Sequence, residues 1–198
     1  MQTKPEDYYH LKYNLTKTHS EVINAVQSIQ PCKTLDLGCG SGRNSLYLES
    51  LGFDVTAYDK NEMSIGSLNN IITAEGLTRL KASVFNINEQ RIDENYDFIL
   101  STVVLMFLDR ENIPTIVRNM QERTNLGGYN LIVSAMSTDD YPCTVPFPFT
   151  FKQDELKSYY DGWNILKYNE NVGELHKTDE NGNRIKLRFA TLLAKKEQ

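Results

Sequence analysis

The chain has few of the residues that cross-link a protein or anchor it in a membrane. Its three cysteines, Cys32, Cys39 and Cys143, form no CxxC pair, and no histidine lies at zinc-ligand spacing from them. The number and spacing of the cysteines disfavour a disulfide framework or a structural zinc site and are typical of a reduced cytosolic chain. The longest apolar run, Val103 to Leu108, is far too short to span a bilayer, and the acidic N-terminal decapeptide lacks the apolar core of a secretory signal. We therefore expect a soluble cytoplasmic protein.

Positive charge is also scarce. The 198 residues include 21 Lys and Arg against 26 Asp and Glu, a net charge of −5. Nucleic acids and anionic membranes need a basic contact face, so neither is an expected partner. An apolar content of 40% without repeats excludes a disordered or fibrous chain. The length predicts one domain over residues 1–198, with residues 1–30 as an N-terminal segment and first helix and residues 163–198 as a C-terminal β-hairpin region.

Strand and helix patterns alternate along the chain. Apolar runs begin near residues 34, 53, 80, 96 and 129, and helical patterns separate them, one starting at the capping box Thr18–Glu21 and another running from Thr150 to about Tyr160. Extended patterns follow Trp163, and Asn181-Gly182 is a strong hairpin turn signal. This order predicts an α/β protein with a doubly wound, mostly parallel, seven-stranded sheet, helices on both faces and a C-terminal antiparallel hairpin. A ligand should bind at the carboxyl ends of the strands.

The most informative segment is the glycine-rich turn LDLGCGSGRN at residues 35–44. Its glycines allow a ligand to approach bare backbone. A dinucleotide-binding turn has glycine where this chain has Arg43, and Asp36 would repel a pyrophosphate. An acid there suits a cationic ligand without phosphate, such as S-adenosylmethionine. Asp59, 19 residues after Gly40, suits a ribose, although by itself it also fits nicotinamide enzymes; helix capping is the alternative role for both acids.

This turn, together with Asp59, resembles the D-x-G-x-G-x-G motif of the Rossmann-like, class I S-adenosylmethionine-dependent methyltransferases. Segments across nearly the whole chain resemble the tellurite-resistance methyltransferases of that class: Lys12-Tyr13, Thr16–Ser20, LDLGCGSGRNSLYL at 35–48, residues 101–108, GGYNLIVSAM at 127–136, YPCTVPFPF at 141–149 and residues 172–194. The resemblance implies a Rossmann-like fold, S-adenosyl-L-methionine as cofactor and S-adenosyl-L-homocysteine as product. It implies methylation of tellurite, and of selenium oxyanions in addition, as a detoxification that confers tellurite resistance. A thiol or other small soft acceptor, and a cofactor-binding module without turnover, are the alternatives.

The resemblance also implies a set of cofactor contacts: Lys12, Tyr13, Asp36, Gly38, Gly40, Arg43, Asp59, Asn86, Thr102 and Val103. Thr102 and Val103 are expected to line the methyl-transfer pocket. Asn86 stands where the adenine amino group often meets an Asp, and its amide oxygen can accept the same hydrogen bond. Lys12 and Tyr13 are expected to form a lid, with an ordinary amphipathic segment as the alternative.

The remaining contacts follow the glycine turn. Gly38 and Gly40 are expected to pack against the methionine end of the cofactor, with Asp36 nearby. Arg43 is expected to pair with the cofactor carboxylate, with a surface helix cap as its alternative role. Asp59 is expected to hold the ribose.

The C-terminal region has the opposite charge balance. Residues 1–162 carry 14 basic and 21 acidic side chains, whereas residues 163–198 carry 7 basic and 5 acidic ones. An oxyanion in a dry site needs cationic partners. We therefore expect His176 and Arg184 to be catalytic residues that hold the oxyanion acceptor, with Lys177 as an assistant. Solvated protection of a sheet edge is the alternative role for these charges.

Overall fold

The computed structural model describes residues 4–197, without the side chain of His176. In this range seven strands form one sheet with the order β3-β2-β1-β4-β5-β7-β6. The strands are β1 Lys33–Leu37, β2 Asp54–Asp59, β3 Leu80–Val84, β4 Tyr96–Thr102, β5 Thr124–Ala135, β6 Asn164–Thr178 and β7 Arg184–Lys195. Strands β1 to β5 pair in parallel, whereas β7 pairs antiparallel with both β5 and β6. The predicted doubly wound sheet with a closing hairpin is confirmed.

Helices cover both faces of the sheet. In the described range they are α1 Tyr8–Tyr13, α2 Ser20–Ala25, α3 Arg43–Ser50, α4 Glu62–Glu75, α5 Ile113–Glu122 and α6 Glu155–Ser158. Alternate residues of β4 reach opposite cores: Phe98 and Leu100 pack with α1 to α4, and Ile99 packs with α5 and α6. Chain order along the sheet reverses between β1 and β4, so a crevice opens at their carboxyl ends. No helix of the described residues is both long and apolar enough to cross a membrane.

The start of α2 differs from the prediction. The pattern Thr18–Glu21 predicts Thr18 as the cap, but the ring Nδ1 of His19 accepts the hydrogen bond from the Glu21 amide at 3.2 Å. The Thr18 hydroxyl instead donates to the backbone carbonyl of Arg43 at 3.3 Å. The predicted capping box is therefore wrong, because a tertiary contact with the start of α3 takes the Thr18 side chain.

The segment after β5 also differs. The pattern at Thr150 predicts a helix to Tyr160, yet the backbone forms only the single turn of α6. Phe151 pairs with Met136 in an isolated bridge, and Asp154 takes a left-handed conformation at φ 57° before α6 begins. Pairing of Phe151 with the end of β5 delays the start of the helix, which burial of Phe151 in the core favours.

Candidate active site

Three adjoining cavities open at the crevice between β1 and β4. Two of them, of about 420 and 330 Å³, border the glycine turn. After the two ends of the cofactor expected from the sequence, they are here called the methionine-side and the adenosine-side cavity. The third, of about 450 Å³, lies against the C-terminal hairpin and, after the acceptor expected there, is here called the acceptor cavity. Val103, directly after β4, lines all three. Its φ of 62° is left-handed, a conformation that β-branched residues rarely adopt.

The glycines of the turn have different roles. Gly38 has φ +86°, and a Cβ there would lie 2.4 Å from Cγ2 of Val104, so only glycine allows the turn to pack against the end of β4. A Cβ on Gly40, at φ +55°, would meet nothing within 4 Å, so its bare backbone faces open space in both cofactor-side cavities. The Gly40 amide donates to Asp59 Oδ2 at 2.8 Å, while Asp59 Oδ1 accepts the amide of Asn61 at 2.8 Å. The prediction that the turn and Asp59 form one site agrees with this geometry.

The adenosine-side cavity joins a carboxylate to an apolar wall. Asp59 lines it together with Phe85, Ile87 and Phe107. Phe85 is itself fixed by stacking on Tyr58, with ring centroids 4.5 Å apart. A nucleoside has the matching polarity, since its ribose carries hydroxyls and its base is flat and largely apolar.

Asn86 does not line the described cavities. Its Oδ1 accepts the backbone amide of Asn88 at 3.2 Å, and the backbone amide of Asn86 donates to Gln90 Oε1 at 2.7 Å. These bonds hold Asn86 in the turn after β3, an arrangement that asparagine side chains commonly form. Phe85 and Ile87, rather than Asn86, line the adenosine-side cavity, and the contact of Asn86 with an adenine stays a prediction.

Asp36 lies beneath the turn rather than on a cavity wall. It is 1% exposed, and its Oδ2 accepts the Ser45 hydroxyl at 2.6 Å. Burial raises the pKa of Asp36 to about 6, although the Ser45 hydrogen bond lowers it. A ligand in the crevice would therefore meet the charge of Asp36 only from beneath the turn, since its side chain is buried and bonded to α3.

Asn44 joins three elements at the crevice and was not predicted from the sequence. Its Nδ2 donates to Thr102 Oγ1 at 3.0 Å, and its Oδ1 accepts the backbone amide of His19 at 3.0 Å. It is 3% exposed and lines the methionine-side cavity with Thr102. The segment RNS directly after the glycines was the available signal, but no local pattern reveals a contact that spans 58 positions.

The acceptor cavity has walls from the N-terminal segment, α2, β6 and β7. Its lining side chains combine amides, hydroxyls and apolar groups with a few charges: Thr16, His19, Ser20, Glu21, Arg43, Val103, Val133, Asn169, Asn171, Val172, Glu174, Leu175, Phe189 and Thr191. Arg43 also lines the methionine-side cavity, so one basic residue borders both spaces. Burial, with the charge of Arg43, lowers the pKa of His19 to about 4, so this ring is neutral at pH 7. Glu21 is paired with Lys167 at 2.5 Å.

Lys12 and Tyr13 do not line the described cavities. Lys12 Nζ lies 2.7 Å and Tyr13 Oη 2.6 Å from Glu75 Oε1 at the end of α4. The residues that follow them, Asn14 and Leu15, line the methionine-side cavity. Asn14 and Leu15, rather than Lys12 and Tyr13, therefore border this cavity, because both polar groups contact Glu75; a lid over the cofactor stays a prediction.

The predicted acceptor-binding residues lie on the C-terminal hairpin. Arg184 Nη1 lies 3.8 Å from Glu174 Oε2, and Glu174 lines the acceptor cavity, whereas Arg184 does not line it. His176 lies within β6, and its side chain is outside the described residues. Both residues therefore belong to the hairpin that walls this cavity, and their contact with an acceptor stays a prediction.

Comparison with known proteins agrees with this geometry. The family described as "Tellurite resistance protein TehB" matches residues 1–193. The "Probable S-adenosyl-L-methionine-dependent methyltransferase TehB" of Haemophilus influenzae (strain 10810) is 61% identical over 194 residues, which are 98% of this chain and 68% of the relative. A protein of Eikenella corrodens named "Hemagglutinin 1" is 51% identical over 190 residues, 96% of this chain and 63% of its own length.

A solved structure is also similar. The crystal structure of TehB from Haemophilus influenzae has a TM-score of 0.93 and 61% identity, covering 96% of this chain and 66% of that one. The chain thus spans about two thirds of the length of the relatives that it matches.

Proposed function

The chain belongs to the TehB family of tellurite resistance proteins, and from this premise we propose that it methylates tellurite with S-adenosyl-L-methionine as cofactor. The observation that carries the proposal is the meeting of two cofactor-side cavities and a separate acceptor cavity at Val103. A methyltransferase needs this arrangement, since donor and acceptor must approach from different sides of one point. The product is S-adenosyl-L-homocysteine, and removal of tellurite is the basis of resistance.

The cofactor-side cavities fit S-adenosyl-L-methionine. With the cofactor bound, Asp59 would hold the ribose, Phe85 and Ile87 would contact the adenine, and the bare backbone of Gly40 would leave room for the rest of the molecule. Asp36 beneath the turn supplies negative charge near the ammonium and sulfonium groups. Among the described residues that line the adenosine-side cavity, Lys60 is the one cationic side chain. A ligand without phosphate groups does not require more.

The protein contributes position and exclusion of water to the reaction. When bound, the cofactor supplies a sulfonium-bound methyl group that a lone pair displaces in line, so that a bond to the acceptor forms as the sulfur–carbon bond breaks. Val103 stands at the junction, and Asn44 holds Thr102 beside it. The lone pair of Te(IV) carries no proton, so the chain needs no general base. Holding the two reactants in line supplies up to roughly 7–11 kcal/mol of barrier reduction in well-oriented systems.

Recognition of an oxyanion requires positive charge. Arg43 lines the acceptor cavity, and burial lowers the pKa of its guanidinium without removing the charge at pH 7. We infer that Arg43 pairs with the cofactor carboxylate on one side, and that His176 and Arg184 of the hairpin hold the acceptor on the other. Their position on the strands that form the cavity wall supports this role.

A second acceptor class is favoured by the size of the acceptor cavity. Its volume of about 450 Å³ and its walls Val133, Leu175 and Phe189 suit a small organic molecule with a soft nucleophile, such as a thiol, as well as an oxyanion. Pockets for organic ligands begin at roughly 300 Å³, so the cavity lies within their range.

The deciding experiment compares acceptors under one set of conditions. The purified chain is incubated with the cofactor and with tellurite, selenite or a small thiol at equal concentration, and methylated volatile products and S-adenosyl-L-homocysteine are measured. Formation of methylated tellurium at the highest rate is expected. Preferred methylation of the thiol would establish the second acceptor class, and cofactor binding without turnover on any acceptor would indicate a binding module.

A variant pair tests the hairpin residues. The double variant His176→Ala, Arg184→Ala is expected to raise the KM for tellurite by about tenfold or more, because loss of a charge-assisted contact costs roughly 1.5–3 kcal/mol. Lys186→Ala is the matched control, since Lys186 has the same charge on the same strand and lies two residues from Arg184. Equal tellurite kinetics in the double variant and the control would exclude His176 and Arg184 from acceptor binding.

A further inference from the structure

A nearly buried carboxylate outside the crevice binds the N-terminal segment. The Glu75 side chain at the end of α4 is 7% exposed, and it accepts hydrogen bonds from Lys4 Nζ at 2.7 Å and Lys12 Nζ at 2.7 Å. It also accepts the hydroxyls of Tyr13 at 2.6 Å and of Tyr8 at 3.1 Å. We call these four donors around Glu75 the N-terminal clamp.

The position of α1 depends on this clamp. A helix of six residues is not stable alone in water, so tertiary contacts must hold it. Tyr9, 5% exposed, is its buried side chain, and all four donors of the clamp reach Glu75, while Lys4 and Lys12 also donate to the hydroxyls of Tyr9 and Tyr8. Charge-assisted hydrogen bonds are about twice as strong as neutral ones, and here two ammonium groups share one carboxylate.

The segment that follows α1 forms a wall of the proposed site. Asn14 turns the chain out of α1 with φ 51°, and Asn14 and Leu15 line the methionine-side cavity. Thr16 lines both that cavity and the acceptor cavity, and His19 lines the acceptor cavity. Residues 14–19 are here called the strap.

The far end of the strap is fixed to α3. The Thr18 hydroxyl donates to the carbonyl of Arg43, and the His19 amide donates to Asn44 Oδ1 at 3.0 Å. The near end follows directly from α1 and so from the clamp. The strap is therefore fixed to α3 at the glycine turn, while its near end is joined to α1, both along the chain and through the His10 ring at the Leu15 carbonyl, and Glu75 binds α1.

We propose that Glu75 is a positioning residue for methyl transfer, which holds the strap over the cofactor and acceptor cavities by binding α1. This inference rests on the function proposed above. Glu75 touches neither cavity that the strap lines, so it acts only through α1. Loss of its charge leaves Lys4 and Lys12 without their counter-ion and frees the near end of the strap.

The test compares two carboxylates of equal exposure. Glu75→Gln removes the charge of the clamp, and Glu49→Gln is the control, because the Glu49 side chain is also 7% exposed and is paired with Arg79 at 3.4 Å. Hydrogen exchange of residues 14–19, cofactor affinity by calorimetry and thermal midpoints are measured on the full chain. In Glu75→Gln we expect exchange of the strap to accelerate about tenfold and the cofactor Kd to rise by about tenfold, with smaller changes in the control.

Two outcomes overturn the proposal. One is equal cofactor affinity in Glu75→Gln and Glu49→Gln, and the other is strap exchange unchanged from the parent chain. If Glu75→Gln does not fold, the double variant Lys12→Met, Tyr13→Phe removes two donors of the clamp from partly exposed positions and is subject to the same criteria. Exchange and cofactor affinity need no acceptor, so absence of turnover in the parent chain would count against the proposed function and leave this test valid.

Discussion

At the residue scale, Val103 has an unusual conformation for its side chain. A left-handed backbone costs a non-glycine residue about 1–2 kcal/mol, and strain of this kind is concentrated at functional sites. We expect Val103→Gly to relieve the strain without loss of stability but to lower kcat/KM by about tenfold or more, since it removes a side chain that lines all three cavities. Steady-state kinetics and thermal midpoints measure both effects.

A second strained residue provides the control for Val103. Asp154 has φ 57°, close to the 62° of Val103, but it caps α6 and lines none of the described cavities. Asp154→Gly should leave kcat/KM unchanged. Similar kinetics in the two glycine variants would show that the side chain of Val103 has no part in transfer.

Asp36 predicts a pH dependence of cofactor binding. Burial raises its pKa from the ordinary 3.8 to about 6, so between these values the folded, cofactor-free chain holds the extra proton and its stability falls as the pH rises. A cationic cofactor favours the ionised carboxylate, so affinity should increase as the pH rises through about 6, with release of a proton. Asp36→Asn should abolish this increase and weaken binding at pH 8 by about tenfold.

The prediction for Asp36 is tested by calorimetry from pH 5 to 8 in two buffers of different ionisation enthalpy, which measures both the cofactor affinity and the number of protons released. S-adenosyl-L-homocysteine, which lacks the sulfonium charge, is the matched ligand and should show a smaller dependence. An unchanged pH profile in Asp36→Asn would assign the titration to another group.

At the scale of elements, two glycines with similar backbone strain differ in whether they border the candidate site. Gly40 and Gly76 have φ of +55° and +61°, and a Cβ on either would meet nothing within 4 Å. Alanine at either position should therefore cost about 1–2 kcal/mol of stability, as a positive φ does for other residues. Only Gly40→Ala should also weaken cofactor binding, because Gly40 lines both cofactor-side cavities. Equal cofactor affinity in the two variants would mean that the cofactor does not approach the Gly40 backbone.

The elements that alternate most regularly could be predicted from the sequence. Apolar strands followed by amphipathic helices have local periodicity, so the parallel sheet, its closing hairpin and the Asn181-Gly182 turn were evident. Helix α1 has only six residues and depends on Glu75, and α6 is shortened by the pairing of Phe151. These elements are set by tertiary contacts, which no local pattern encodes.

In the candidate site, too, features that follow from local spacing could be predicted, whereas contacts between distant residues could not. The glycine turn and Asp59 follow from spacing, because strand tips of a doubly wound sheet meet at one edge. Asn44 and Glu75 were missed because their partners lie far away along the chain. Asn86 was assigned by its place after β3, whereas its side chain completes a turn.

At the scale of the whole molecule, charge is divided between two regions. Residues 1–162, which contain the cofactor-side elements, have seven more acidic than basic side chains, whereas residues 163–198 have two more basic than acidic ones. A cofactor with net positive charge should therefore associate faster at low salt. Stopped-flow association of S-adenosyl-L-methionine is expected to slow by roughly two- to fivefold with rising ionic strength, while that of S-adenosyl-L-homocysteine, a zwitterion without net charge, stays nearly constant. Equal salt dependence of the two would exclude electrostatic steering.

The C-terminal hairpin is the outer edge of the sheet, since β6 pairs only with β7 among the described strands. Its residues wall the acceptor cavity but line neither of the cofactor-side cavities, which are bordered by the glycine turn, the ends of β2 and β4, the segment after β3 and residues 14–16. On the proposed function, mutations that reshape the hairpin should change the acceptor without disturbing the donor. Homologues that share the glycine turn would then diverge in substrate by substitutions at a sheet edge, and redesign of the acceptor would begin at the hairpin.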